Sequence, residues 1–232
     1  IGIQFDKSAF NAEMQAAKLA VTEVMLNGGL DGQPYGLVEC TNEESPLYDE
    51  LTQDEANLAV SEYLANQIGV VGMIGPATSS RVNAAFQEVE QYGTLLITPS
   101  ATSPALTPLD GIESTFDSPG LLWRTVPPDD LQGVVLAQYL LQQGVDTVAA
   151  IYEEGEYGGA LSSVFLEEYK AGGGQAKPLA YRPNNAQSLR TAMDGVQGQQ
   201  AVLFVSATKT DTISFLEEVV NDSFGDKPIF LS

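Results

Sequence analysis

Two hydroxyl-rich clusters are the residues of this chain best suited to chemistry. Thr78-Ser79-Ser80 follows an apolar run and Gly75-Pro76, and Thr98 to Ser103 follows a second apolar run, Leu95 to Ile97. Hydroxyls and N–H groups at the start of a helix hold anions, because the first N–H groups of a helix lack internal partners and carry the positive end of its dipole. The chemistry open to these clusters is capture of a carboxylate or another compact anion. Nucleophilic catalysis is a poor fit. The chain has no histidine, which removes Ser-His-Asp and Cys-His systems together with the usual zinc sites. A hydrolase or nucleotide-dependent transferase built on Ser80, Ser100 or Glu154 would need a lysine or carboxylate as its base.

The remaining reactive residues have plain readings. Glu153, Glu154 and Glu156 are near neighbours on an expected loop, EEGEYGG, and read as solvated rather than as a metal site. Lys209, at an expected strand end, reads as a solvated charge. Cys40 is the only cysteine and reads as a part-buried small residue, with no basic neighbour to lower its pKa. Trp123 and Arg124 read as packing at a domain boundary. GVVGMIG lacks both G-x-G-x-x-G spacing and any G-K-[ST], so no nucleotide cofactor is expected, and no metal.

The elements that must position the clusters follow from periodicity. Val70–Ile74, a helix carrying Val82, Ala85, Phe86 and Val89 on one face, and Leu95–Ile97 make a β-α-β unit. Such a crossover makes the strands parallel, so both hydroxyl clusters emerge at the carboxyl edge where open α/β sheets bind ligands. Upstream, Ile1–Phe5 is either a first strand or a loop tail. A helix is expected over Asn11–Asn27, a strand over Tyr35–Cys40, a polar loop at TNEESP and a helix over Thr52–Gln67. Downstream, a turn-rich loop over 107–120 precedes a strand, Leu121–Val126, broken by Pro127-Pro128. The β/α rhythm then repeats: helix Asp130–Gln143, strand Thr147–Tyr152, helix Ala160–Lys170, strand Lys177–Tyr181, helix Ala186–Val196, strand Ala201–Val205, helix Asp211–Asn221 and strand Pro228–Leu231. The pattern predicts an α/β chain of two doubly wound lobes with parallel sheets, residues 1–126 and 127–232, and a ligand cleft between them.

Composition limits the partners. With 232 residues and 44% hydrophobic content the chain can bury a large core. Its 31 acidic against 10 basic residues give a net charge of −21, which repels phosphate backbones and anionic lipid and argues against nucleic-acid binding. No run is long and apolar enough to span a bilayer, and the start at Ile1 resembles that of a processed chain with its signal peptide removed.

The segments GMIGPATSS, LLITPSATSPALT, LWRTVPPDDLQG, VAAIYEEGEYGGAL and AVLFVSATKTD, in one collinear order over nearly the whole chain, resemble the type I periplasmic solute-binding proteins. The resemblance is to the branch that binds leucine, isoleucine and valine, and to its receptor-domain relatives. It implies two Rossmann-like lobes joined by hinge strands that close on a small amino-acid-like or carboxylate ligand, with no catalysis and no cofactor. The ligand's carboxylate would fall to Ser79 or Ser80, to Ser100 and Ala101 through backbone groups, and to Thr102 through its hydroxyl and N–H. Tyr157 would close over the ligand from the other lobe. Thr208 joins the ligand set from Ser206–Lys209, a segment that stands where relatives often carry an aromatic residue. The family's acid for the ligand's ammonium group lies just after the strand corresponding to PIFLS, and a third segment then returns to lobe 1. Neither is present by Ser232, so the resemblance implies an incomplete chain. The implied partner is an ABC transporter permease, and the implied setting is periplasmic or extracellular, free or as a membrane-anchored lipoprotein. A receptor's extracellular sensor domain is the alternative.

Overall fold

The apolar runs become two parallel sheets in the computed structural model, which describes residues 1–41, 51–111, 117–221 and 227–232. The loop expected at TNEESP, apart from Thr41, and positions 112–116 of the 107–120 loop lie outside the described residues. The chain forms two compact units: unit 1 is Ile1–Thr102 with Leu106–Pro127, and unit 2 is Ser103–Ala105 with Pro128–Ser232.

In unit 1, β1 (Gly2–Gln4), β2 (Val38–Cys40), β3 (Gly72–Ile74), β4 (Leu95–Thr98) and β5 (Leu122–Arg124) pair in the order β2-β1-β3-β4-β5, all parallel. The register aligns Gly2, Met73, Leu96 and Leu122 in one row and Ile3, Ile74, Ile97 and Trp123 in the next. Because side chains alternate across a strand, the rows serve opposite faces. Met73 and Leu96 pack with Val60 and Leu64 of α2 (Gln53–Glu62) and its π-helical extension Tyr63–Ile68, and with Val82, Phe86 and Val89 of α3 (Ser79–Val89). Ile3 and Ile74 pack with Met14 and Ala17 of α1 (Lys7–Leu26).

Helix α1 starts at Lys7 rather than Asn11, because the helical pattern resumes after an irregular Phe10 (φ −125°, ψ 33°). Among its apolar residues Met14 and Ala17 are buried, while Leu19, Val24 and Met25 are exposed. The cause is length. A 20-residue helix spans about 30 Å, whereas strands of three or four residues cover about 10–13 Å. Helix α2 begins with a complete capping box, in which Thr52 and Glu55 satisfy each other's backbone N–H groups.

In unit 2, α4 (Asp130–Gln142), β6 (Thr147–Glu153), α5 (Glu156–Ala171), β7 (Gln175–Tyr181), α6 (Ala186–Asp194), β8 (Ala201–Val205), α7 (Lys209–Asn221) and β9 (Ile229–Leu231) form a parallel sheet in the order β7-β6-β8-β9, with helices on both faces. Val148 and Ala150 face α4 and α5, and Ala149 and Ile151 face α6 and α7. Tyr181 stacks on Phe204, and Phe204 on Phe215 of α7, at centroid distances of 5.9 and 4.0 Å.

Two expectations here are corrected. The EEGEYGG loop is mostly helix: α5 starts at Glu156, one turn before Ala160, so Tyr157 stands in a first helical turn. Gly155 (φ 129°) makes the entry, and Gly158 is required inside the helix because a Cβ there would lie 2.3 Å from the Glu153 carbonyl oxygen. Lys209 is likewise the first residue of α7 rather than a strand end, although it is exposed as a solvated charge should be.

Candidate functional site

Doubly wound sheets offer ligands a crevice at the carboxyl ends of the strands where strand order reverses. In unit 1 that reversal lies between β1 and β3. Arg81 fills it: the guanidinium pairs with Asp6, with Asp54 Oδ1 at 3.0 Å and with Gln53 Oε1 at 2.8 Å. Only about 10 Å³ of space remains among the residues there, which include Gln4, Asp6, Asn57 and Arg81. Beneath it, Gln4 Nε2 donates to Asn57 Oδ1 (2.9 Å) and Asn57 O (2.6 Å), and Ser61 Oγ donates to Gln4 Oε1 (2.9 Å), all three side chains being buried. Nothing in the local sequence around Arg81 or Asp6 reveals this network, since the pair is separated by 75 positions.

The binding-competent groups of unit 1 lie one step over, beyond β3 and β4. Thr78 occupies the N-cap position of α3, and its side chain makes no capping bond. Ser79 is buried and Ser80 exposed. Thr98 Oγ1 donates to the Pro76 carbonyl (2.8 Å) and accepts from the Ala101 N–H (3.3 Å), and Ser100 Oγ donates to the Ala77 carbonyl (3.0 Å). These bonds lash the two strand ends together and shape the turn. Thr102 is half-buried, and neither its hydroxyl nor its N–H makes a hydrogen bond among the described residues. Beside this edge a cavity of about 210 Å³ is lined by Leu106, Leu122 and Trp123 with Thr98, Thr107 and Arg124. Arg124 is held by Thr107 Oγ1, and the Trp123 indole N–H donates to Gly120 O at 3.4 Å, so Trp123 flanks the cavity while remaining 45% exposed.

In unit 2 the order reverses between β6 and β8. Glu153, expected to be solvated on a loop, is instead the last residue of β6 and buried at 7% exposure. Its Oε2 accepts from Ser206 Oγ (2.9 Å) and Thr208 Oγ1 (3.3 Å), which follow β8. Ser206 Oγ also accepts from the Thr208 N–H (3.0 Å). Thr208 is thus tied to Glu153 instead of standing open. Tyr157 is half-buried at the same edge against Ser232. Burial raises its phenol above the ordinary range, the Ser232 contact opposes this, and the charges of Asp129 and Glu153 add to it. The wholly buried Tyr181 hydroxyl lies beside Ser206 but makes no hydrogen bond of good geometry. Burial, ahead of the Glu153 and Asp211 charges, holds it firmly protonated. Asp211, also buried, accepts from the Asn184 N–H at 2.8 Å.

Cys40 is part-buried, and burial followed by the Glu39 charge pushes its thiol up, away from reactivity.

The architecture and sequence both have relatives. The Leu/Ile/Val-binding protein of Escherichia coli is 29% identical over 161 residues, which are 69% of this chain and 39% of that protein. The leucine-, isoleucine-, valine-, threonine- and alanine-binding protein of Pseudomonas aeruginosa is 28% identical over 148 residues, 63% of this chain and 35% of that protein. The chain therefore spans well under half the length of these curated relatives. An ABC transporter substrate-binding protein from Desulfitobacterium hafniense superposes with a TM-score of 0.68 at 25% identity, covering 100% of this chain and 65% of that one. A family model described as the receptor family ligand binding region matches residues 12–227. With two parallel α/β units and a family match over most of its length, the chain belongs to the receptor ligand-binding-region family, alongside the Leu/Ile/Val-binding proteins.

Proposed function

We propose that this chain captures a small amino-acid-like or carboxylate solute outside the cytoplasm, in the periplasm or at the cell exterior, and delivers it to an ABC transporter permease. The observation that carries the reading lies at the carboxyl edge of unit 1, where the Thr102 hydroxyl and N–H make no hydrogen bond among the described residues. Ser79 or Ser80 and Thr102 supply donors to the ligand carboxylate, while Ser100 and Ala101 contribute backbone groups and the shape of the turn. Tyr157 and Thr208 act from the edge of unit 2. The role is binding without turnover: no histidine is available to activate any of these hydroxyls. The names of the relatives, which bind leucine, isoleucine and valine, support the amino-acid class.

A receptor sensor domain is the second reading, favoured by the receptor description of the matching family. Isothermal titration of the protein with the twenty L-amino acids and simple carboxylates tests ligand capture. Saturable binding of at least one supports it, and no heat with any of them overturns it. Reconstitution with a permease, measured as solute-dependent ATP hydrolysis, separates transport from sensing.

A further inference from the structure

The edge of unit 1 that offers donors to an anion has a buried acid of its own close by. Asp6 stands just past β1 with its side chain 11% exposed, and only β3 separates β1 from β4. Two strand spacings of about 4.8 Å put the ends of β1 and β4 on the order of 10 Å apart. Pro76 and Ala77, which follow β3, bridge that gap. On one side they line the space of about 10 Å³ that they share with Asp6 and Arg81, and on the other their carbonyls accept the Thr98 and Ser100 hydroxyls. An unpaired carboxylate at that range, in surroundings of effective dielectric about 20, would weaken anion binding on the order of tenfold. A chain with a net charge of −21 has no general attraction to set against it.

Arg81 supplies the opposing charge, and both members of the pair give up a local role to make it. Asp6 is the N-cap of α1, a position that suits aspartate, yet its side chain makes no capping bond and is taken by Arg81 instead. Arg81 is the third residue of α3, in a first turn where the helix dipole disfavours a cation and where no acidic residue stands. Its guanidinium also meets Asp54 Oδ1 at 3.0 Å and Gln53 Oε1 at 2.8 Å, and its carbonyl accepts from Asn57 Nδ2 at 3.5 Å, so the residue is fixed at both ends by α2. The Arg81 side chain is 13% exposed and that of Asp54 80%, so water screens Asp54 and leaves a buried Asp6–Arg81 pair close to neutral.

We propose that Arg81 is an electrostatic positioning residue, which cancels the Asp6 charge and so keeps the carboxyl edge of unit 1 receptive to a carboxylate without touching the ligand. The assignment rests on the solute-binding reading and deepens it, by naming what lets a strongly acidic protein receive an anion. It makes the two partners act with opposite signs. Removing Asp6 leaves a surplus positive charge beside the site, and removing Arg81 leaves a surplus negative one.

The test is calorimetric titration of the wild type, Asp6→Asn, Arg81→Lys, Arg81→Gln and the double variant Asp6→Asn/Arg81→Gln with L-leucine, L-isoleucine, L-valine, L-alanine and propanoate. For every probe that binds, Asp6→Asn, which keeps the shape and an acceptor for Arg81, should tighten binding on the order of tenfold, and Arg81→Gln should weaken it by about as much. The double variant should return to within about threefold of the wild type, because both charges are gone. Arg81→Lys keeps the charge and should bind more tightly than Arg81→Gln. Urea unfolding verifies that each variant is folded; should Arg81→Gln fail to fold, Asp6→Asn decides alone. Weaker or unchanged binding in Asp6→Asn overturns the assignment, since a pair that only braces the fold gives losses of one sign. Loss of binding in the double variant overturns it as well. Binding by the wild type without the opposed signs overturns this assignment and leaves solute capture standing, whereas binding of none of the five probes overturns both.

Discussion

The Ser100 hydroxyl donates to the Ala77 carbonyl at 3.0 Å, so the side chain that follows β4 is committed to the end of β3. Two neighbouring hydroxyls that look equivalent in the sequence, those of Ser100 and Thr102, therefore do different work. Thr102→Val should weaken binding of a carboxylate ligand roughly 10- to 100-fold, the worth of one hydrogen bond to a charged group. Ser100→Ala should cost about 1 kcal/mol of stability and change affinity far less. Titration calorimetry and urea unfolding of both variants distinguish the roles. Equal affinity losses would show that the two hydroxyls both contact ligand.

Gly75 has φ 94°, and a Cβ there would sit 2.1 Å from the Gln4 carbonyl oxygen. Gly75→Ala therefore has to push β1 and β3 apart or change the backbone. We expect a loss of about 2–4 kcal/mol in urea unfolding, and near-wild-type stability would show that this edge yields easily.

The polar core below the Arg81 ion pairs makes a sharper demand. Asn57 is 2% exposed and its side chain links Gln4 to the Arg81 carbonyl, at 2.9 and 3.5 Å. Asn57→Ala leaves Gln4 with one partner fewer in a buried site, and should cost about 1–3 kcal/mol. Chemical denaturation followed by far-UV circular dichroism measures it.

Acid should loosen α2 in a defined way. The Glu55 carboxyl lies below its ordinary range because it accepts the Thr52 backbone N–H (2.8 Å) and then the Thr52 hydroxyl (2.7 Å). A carboxyl whose folded value is depressed contributes stability above its unfolded value and loses that contribution as pH falls through the folded one. The gap in melting temperature between wild type and Glu55→Ala should therefore be full at neutral pH and close below about pH 4.5. A gap that stays constant to low pH would place the stabilisation elsewhere.

Much of the architecture was legible in the chain because its strands are continuous apolar runs: Ala201–Val205 is buried at every position and appears as such in the sequence. The hydroxyl clusters were legible too, since they follow strands of a recognisable crossover. What sequence could not display is how those hydroxyls divide their bonds, because the partners come from different strands: Thr98 and Ser100 from the end of β3, Thr208 from the end of β6. Glu153 departs from its local pattern for a related reason. An acid flanked by Glu154 and Gly155 carries every local mark of a loop, and only the pairing of β6 through Glu153 with Tyr181 draws it into the sheet. Gly158-Gly159 similarly signalled a break, whereas the missing Cβ at Gly158 is what lets α5 begin so close to β6.

Trp123 is the only tryptophan of the chain and stands 45% exposed on the wall of the unit 1 cavity. Indole emission from this protein consequently comes from a single address. Its colour and quenching report, without any label, on what touches one edge of unit 1, while rearrangements confined to unit 2 stay dark in that channel.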